Sequence, residues 1–307
     1  MNKQENNNFN KLINNIFEVD CLNKMQDIPG ESIDMVLCDL PYGTTQNNWD
    51  SIIPLDKLWA EYKRIIKDRG VIVLTSTGTF TGKLIMSQPD MYKYKWVWEK
   101  SKATNFLNAK KQPLRKHEDV CIFYKKFPGY NPQMTEGDPY DKGVRKDQLT
   151  GSYGDFDPIN VESSGARYPT DVLYFKTAES EGEVYHSTQK PVAMGRYFVK
   201  TYTNPGDVIL DNTSGSGSFL VSALSEGRNF IGIEKNENSK RFKKEKIDYI
   251  KVSIERLFET WNKLSQEKRG FVEEVNLIKK FIAEQELNLD ELREGAMTLI
   301  EEIENMQ

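Results

Sequence analysis

Short apolar, β-branched runs recur along this chain with amphipathic segments between them. The runs are Ile16–Val19, Met35–Cys38, Val71–Thr75, Trp96–Glu99, Val120–Tyr124, Val208–Leu210 and Phe230–Ile233. Continuous apolar character over four or five residues is the mark of strands covered on both faces. Between the second and third runs, Leu55 to Ile66 sets Leu58, Tyr62 and Ile65 on one helical stripe and stops before Asp68-Arg69-Gly70. The rhythm is strand, helix, strand, which predicts a doubly wound, mostly parallel seven-stranded α/β sheet.

Two regions break the rhythm. From 127 to 185 the pattern dissolves into Gly, Pro, Asp and Tyr, too long for an ordinary connection, and reads as an insert. After 245 the chain turns helical and charged. Ile254, Leu257, Phe258, Trp261 and Leu264 fall at helical spacing, followed by patterns over 271–287 and 289–306. The expected organisation is a domain over 1–245 carrying the 127–185 insert, then a helical extension over 246–307. That extension either pairs with a second copy, making a homodimer, or folds back on the core.

Composition narrows the class. At 307 residues and 38% hydrophobic content the chain can bury a full α/β core. It has no 18-residue apolar stretch and starts polar and Asn-rich, so a cytoplasmic protein is expected. Cys21, Cys38 and Cys121 each lie in or beside an apolar run and read as buried thiols. The net charge of −4 argues against a nucleic-acid partner until its distribution is considered. Residues 93–126 carry ten basic against three acidic side chains, +7, interleaved with Trp96, Trp98 and Phe106, whereas 251–307 carries −5. The basic stretch suits a phosphate-tracking surface, or is simply a solvated lysine face.

Two constellations sit where strands end, the place ligands collect in open parallel sheets. Asp39-Leu40-Pro41-Tyr42-Gly43 follows the run ending at Cys38. An exocyclic base amine is a weak nucleophile because its lone pair is delocalised into the ring. A carboxylate and a backbone carbonyl that accept its two hydrogens favour a more tetrahedral nitrogen, and Asp39 with the carbonyl of Leu40 or Pro41 supplies such acceptors. Tyr42 is placed to stack on a base drawn out of a duplex. The plain alternative is a strand followed by a proline turn.

The second constellation is Asp211-Asn212-Thr213-Ser214-Gly215-Ser216-Gly217 after Val208-Ile209-Leu210, followed by a helix pattern and Phe230-Ile231-Gly232-Ile233-Glu234. Strand, glycine loop, helix, strand and terminal acid form a nucleotide-binding half-fold, with Glu234 at the ribose hydroxyls. A nicotinamide site is the rival. Against it, Leu220 stands where the third glycine belongs, and Asp211 would face a pyrophosphate. A carboxylate there suits an ammonium instead.

Together these motifs resemble the amino-methyltransferases of DNA, in the permuted class whose catalytic motif precedes its cofactor motif. Asp39-Leu40-Pro41-Tyr42 resembles that family's Asp-Pro-Pro-Tyr, and Asp211 to Gly217 its Asp-Pro-Phe-x-Gly-Ser-Gly. His186-Ser187-Thr188-Gln189-Lys190-Pro191 is similar to its His-Pro-Thr-Gln-Lys-Pro, and Asn105 to Tyr124 looks like its late core. The resemblance implies the S-adenosylmethionine-dependent methyltransferase fold and S-adenosylmethionine as cofactor, with double-stranded DNA as partner. Asp39, Pro41 and Tyr42 are then catalytic, with Asp39 also beside the cofactor. Asp20, Cys21, Gln189, Lys190, Pro191, Asp211, Asn212, Thr213, Gly215, Gly217 and Glu234 form the cofactor site, and no metal is needed. Leu40, Asn212, Thr213 and Ser187 depart from the pattern, and the second and third remove an aromatic contact to the cofactor.

Asp39, where N4-cytosine enzymes usually carry Ser, tilts the expected product to N6-methyladenine over N4-methylcytosine. A non-catalytic DNA-binding module is the alternative from another class. His117 and His186 read as turn or capping residues. Arg167-Tyr168-Pro169 reads equally as a DNA contact or a turn.

Overall fold

The computed structural model describes residues 3–43, 51–144, 160–185, 188–236 and 247–267. Helix α1 (Lys3–Asn10) leads into strand β1 (Asn15–Glu18), helix α2 (Cys21–Met25), β2 (Ile33–Cys38), α3 (Leu55–Ile65), β3 (Ile66–Ser76), α4 (Thr79–Ser87), β4 (Tyr92–Thr104) and β5 (Arg115–Phe123). Short strands β6 (Thr135–Glu136), β7 (Tyr140–Val144), β8 (Asn160–Ser163), β9 (Ala166–Arg167) and β10 (Val172–Phe175) follow. Then come α5 (Val192–Tyr202), β11 (Val208–Asp211), α6 (Ser218–Ser225), β12 (Asn229–Glu234) and α7 (Tyr249–Glu267).

The main sheet runs β1-β12-β11-β2-β3-β5-β4-β10. Only β5 lies antiparallel to its neighbours. All seven expected strands are present, and an eighth, β10, adds in parallel to the edge at β4. Its sequence, Val-Leu-Tyr-Phe, lies in a stretch dominated by turn residues, which hid it. The first strand in sequence pairs with the last, Ile16 opposite Gly232, as a permuted chain order requires.

Period-two alternation explains the two cores. Val36, Cys38, Ile72 and Leu74 turn one way, with α3 and α4 residues such as Leu58, Tyr62 and Phe80. Met35, Leu37, Val71 and Val73 turn the other, with α5, α6 and α7. Helix α3 ends one residue before its expected limit, and β3 starts at once, because Ile66 already pairs with Ile33. Helices α5 and α6 approach closely at Gly195, where a Cβ would strike Ser222 and come within 2.8 Å of Phe219.

The insert folds as two ribbons, β6 with β9 and β7 with β8, before β10 returns it to the sheet. Helix α7 folds back: Ile250, Ile254 and Leu257 join the core beside α6. The extension is therefore tied to the domain at least as far as Leu257. The patterns over 271–287 and 289–306, through which a homodimer was expected, lie outside the described residues. Among those residues no helix is long and apolar enough to cross a membrane.

Candidate active site

Strands β2 and β11 lie side by side, Leu210 opposite Val36, so the two loops that follow them emerge together. They are joined by one side chain. Thr213 Oγ1 donates to the Asp39 carbonyl at 3.0 Å and sits 2.9 Å from Cys38 Sγ. The loops line one cavity of about 550 Å³, within the range that encloses a cofactor-sized ligand. Asp20, Cys21, Asp39, Pro41, Tyr42, Gln189, Lys190, Asp211, Asn212, Thr213, Gly215 and Glu234 all face it.

Asp39 is held from two sides. Its Oδ1 accepts from the Tyr42 hydroxyl at 2.7 Å and from Thr75 Oγ1. Its Oδ2 accepts from Lys190 Nζ at 2.6 Å. Each carboxylate oxygen offers two acceptor positions, so Oδ1 is saturated and Oδ2 retains one beside the ammonium. Lys190 is 5% exposed and also reaches Glu118 at 3.3 Å. Burial pulls its ammonium down, but Asp39 and Glu118 outweigh that and hold it above the ordinary lysine value. Glu118 in turn pairs with the buried Lys100. Burial pushes its carboxyl up, and the two lysines overcome this to hold it below the usual carboxylate range.

Lys190, expected among the cofactor ligands, lines the cavity and is also the counter-ion of Asp39. The sequence does not single out Glu118, Lys100 or Thr75, since a polar residue inside a strand gives no sign of which partner it meets. Tyr42 turns its hydroxyl inward to Asp39, and its ring packs on Phe80 at 5.1 Å. Burial and the Asp39 charge push its phenol well above the ordinary range.

The glycine loop is braced from both ends. Glu234 Oε2 accepts from the Gly215 amide at 2.7 Å, and Ser253 Oγ donates to the Gly215 carbonyl at 2.9 Å. Arg256 Nη1 donates to the Ser216 carbonyl. Two residues of α7 therefore support the loop, which the sequence alone did not suggest. Gly217, at φ +74°, caps α6, and Pro191 caps α5; both shape the loops and neither lines the cavity. Gln189 Oε1 accepts from Ser216 Oγ at 3.0 Å, joining the third motif to the loop. Asp20 caps α2 through Leu22, and burial pushes the adjacent Cys21 thiol up to about 11. Burial and Asp211 likewise keep Cys38 protonated, which disfavours it as a nucleophile.

Polar groups in the cavity wall fit a polar ligand. Asn212 Oδ1 accepts from Tyr62 at 2.6 Å, while its Nδ2 and Ser214 Oγ are buried without partners. Such orphaned donors are costly unless a ligand completes them. Asp211 is 2% exposed, and burial pushes its carboxyl up to about 8. A cation placed there would ionise it. Because this folded value exceeds the unfolded one, its share of stability is full in acid and is lost as pH rises toward 8. Melting temperature of the ligand-free protein should fall less steeply from about pH 5 to 8 in Asp211→Asn than in the parent. Parallel curves for the two proteins would show that the carboxyl is not strained by burial.

Arg167 lies in β9 rather than in a turn and is spent inside the insert, donating to the Asp138 carbonyl and, at 2.7 Å, to Ser163 Oγ. His117 is exposed within β5 rather than in a turn, and His186 and Ser187 lie outside the described residues.

A family model described as DNA methylase matches residues 33–245. The Type II methyltransferase M.HinfI of Haemophilus influenzae is 26% identical over 82% of this chain and 70% of its own length. The DNA adenine methyltransferase YhdJ of Escherichia coli is 27% identical over 79% of this chain and 82% of its own. Among solved structures, the cytosine-N4-specific PvuII DNA methyltransferase superposes with a TM-score of 0.56 at 13% identity, covering 88% of this chain and 91% of that one. The M1.HpyAVI–SAM complex gives 0.53 at 18% identity, covering 79% and 98%.

Proposed function

This chain belongs to the DNA methylase family, and from that premise we propose that it methylates N6 of adenine in double-stranded DNA, using S-adenosylmethionine. The observation that carries the reading is the single cavity shared by Asp39 and the glycine loop, joined through Thr213. An amine acceptor and a nucleoside-binding loop within one cavity are what direct transfer between two bound substrates requires.

When bound, S-adenosylmethionine supplies a methyl group on a sulfonium, already an activated leaving group. Asp211 receives its ammonium, Asn212 and Ser214 offer hydrogen-bonding groups, Glu234 meets the ribose hydroxyls, and Asp20 with Cys21 lies at the adenine end. Asp39 Oδ2 accepts one hydrogen of the target amine, and the carbonyl of Leu40 or Pro41 accepts the other. Tyr42 supplies the aromatic face against which the target base stacks. Lys190 pairs with the Asp39 carboxylate and aims it.

The choice of adenine is supported by Asp39 in the tetrapeptide and by the similarity to YhdJ, a DNA adenine methyltransferase. The PvuII enzyme keeps N4 of cytosine as the second reading. The deciding measurement is incubation with genomic DNA and labelled cofactor, hydrolysis to nucleosides and mass spectrometry. N6-methyldeoxyadenosine is the expected product, and N4-methyldeoxycytidine would overturn the assignment.

A further inference from the structure

The β4–β5 hairpin projects beyond the sheet. Its strands still pair at Thr104 opposite Arg115, and both of those residues line the rim of the cavity. Two residues further on, the tip carries Phe106 and Leu107, 75% and 85% exposed. Leu107 is the most exposed large apolar side chain among the described residues. At the rise of a strand, the pair lies within about 7–10 Å of the cavity rim.

The tip is not a loose loop. Phe106–Asn108 forms a 3-10 turn entered through Asn105 at φ +71°. Asn108 Nδ2 donates to Asn105 Oδ1 at 2.7 Å, and the Lys111 and Gln112 amides donate to the Asn108 carbonyl at 2.8 and 3.0 Å. Around it stand Lys110, Lys111 and Arg115, all exposed. Two large apolar side chains held out into water on a rigid turn, ringed by cations, match a polyanion that also offers an apolar slot. A DNA duplex with one base removed from its stack is such a partner.

Resting on the base-methylation reading, we propose that Phe106 and Leu107 form a wedge that enters the DNA stack where the target base leaves it, while Lys110, Lys111 and Arg115 hold the flanking phosphates. The apolar pair fills the space vacated in the duplex, and the cavity beside the hairpin root receives the base. The wedge therefore lowers the cost of extrusion without touching the reacting atoms.

The test uses the full chain with both side chains replaced, Phe106→Ser and Leu107→Ser, on oligonucleotide duplexes carrying a site mapped by sequencing methylated genomic DNA. One duplex is fully paired, and the other places an abasic site opposite the target adenine. Single-turnover transfer on the paired duplex should fall at least about tenfold, while transfer on the duplex with the abasic site stays within about threefold of the parent. An equal fall on both duplexes, or none on either, overturns the wedge while leaving the methylation reading intact. Parent protein that methylates no DNA overturns the reading and the wedge with it. Sedimentation that moves from dimer to monomer on substitution assigns the patch to a second copy of the chain and overturns the DNA role. An unchanged melting temperature confirms that both exposed side chains were removed without unfolding.

Discussion

Asp39→Ala is expected to lower single-turnover methyl transfer by about 10²–10³-fold while leaving the dissociation constant for S-adenosylmethionine within a few-fold of the parent. The carboxylate lines the same cavity as the groups proposed to hold the cofactor, but its Oδ2 is the acceptor with a position to spare. Removing it takes away an interaction that strengthens only as the amine becomes tetrahedral, so the loss falls on kcat. The fold should survive, because Lys190 retains Glu118 at 3.3 Å as a counter-ion. Asp39→Asn should be nearly as slow, since an amide oxygen is a weaker acceptor than a carboxylate. Rapid-quench transfer and calorimetric cofactor binding, measured on the same preparation, decide the matter. If affinity collapses in step with rate, Asp39 serves the architecture of the cofactor loop and not the amine.

Replacing Lys190 by Met should have the largest effect on stability. The ammonium is the shared partner of Asp39 and Glu118, and without it two carboxylates face one another with only Lys100 in contact with Glu118. Breaking a buried pair by removing one member costs roughly 3–5 kcal/mol, and the lower end applies here because the Asp39 side chain retains 22% exposure. The deficit should depend on pH. With the cation gone, a carboxylate has a folded pKa above its unfolded value, so the variant is most stable in acid and loses ground as pH rises. Urea unfolding at pH 5 and pH 8 should therefore show a smaller deficit at pH 5. The same deficit at both values would mean that Lys190 contributes packing rather than charge.

Much of the site can be read along the chain because its groups are contiguous. Asp39 to Gly43 and Asp211 to Gly217 each combine a strand end, a turn and a carboxylate within a few residues, and that local order carries the chemistry with it. Strands β2, β3, β5 and β11 are legible for a similar reason, since their apolar runs are unbroken and buried on both faces. Strand β10 escaped notice because its burial alternates along an edge, inside a stretch rich in turn formers. The ion-pair network escaped because its members are distant in sequence. Lys100, Glu118 and Lys190 come from β4, β5 and the loop before α5, and the first two alone resemble ordinary surface charges.

Helix α7 makes the same point in another way. Its apolar stripe declares that something covers it, but a stripe fits a partner chain as well as its own domain. Only the folded chain shows that the domain itself covers it, with Ser253 and Arg256 reaching the glycine loop. Sequence by itself determined the kind of sheet, the permuted order of its motifs and the two carboxylate-bearing turns, because each is a property of neighbours in the chain. The tertiary structure decided which charge neutralises which, that Lys190 pairs with Asp39, and that the hairpin carrying Phe106 and Leu107 lines the cavity at Thr104 and Arg115. Those depend on distances between residues that the chain order leaves far apart, and burial sets their strength.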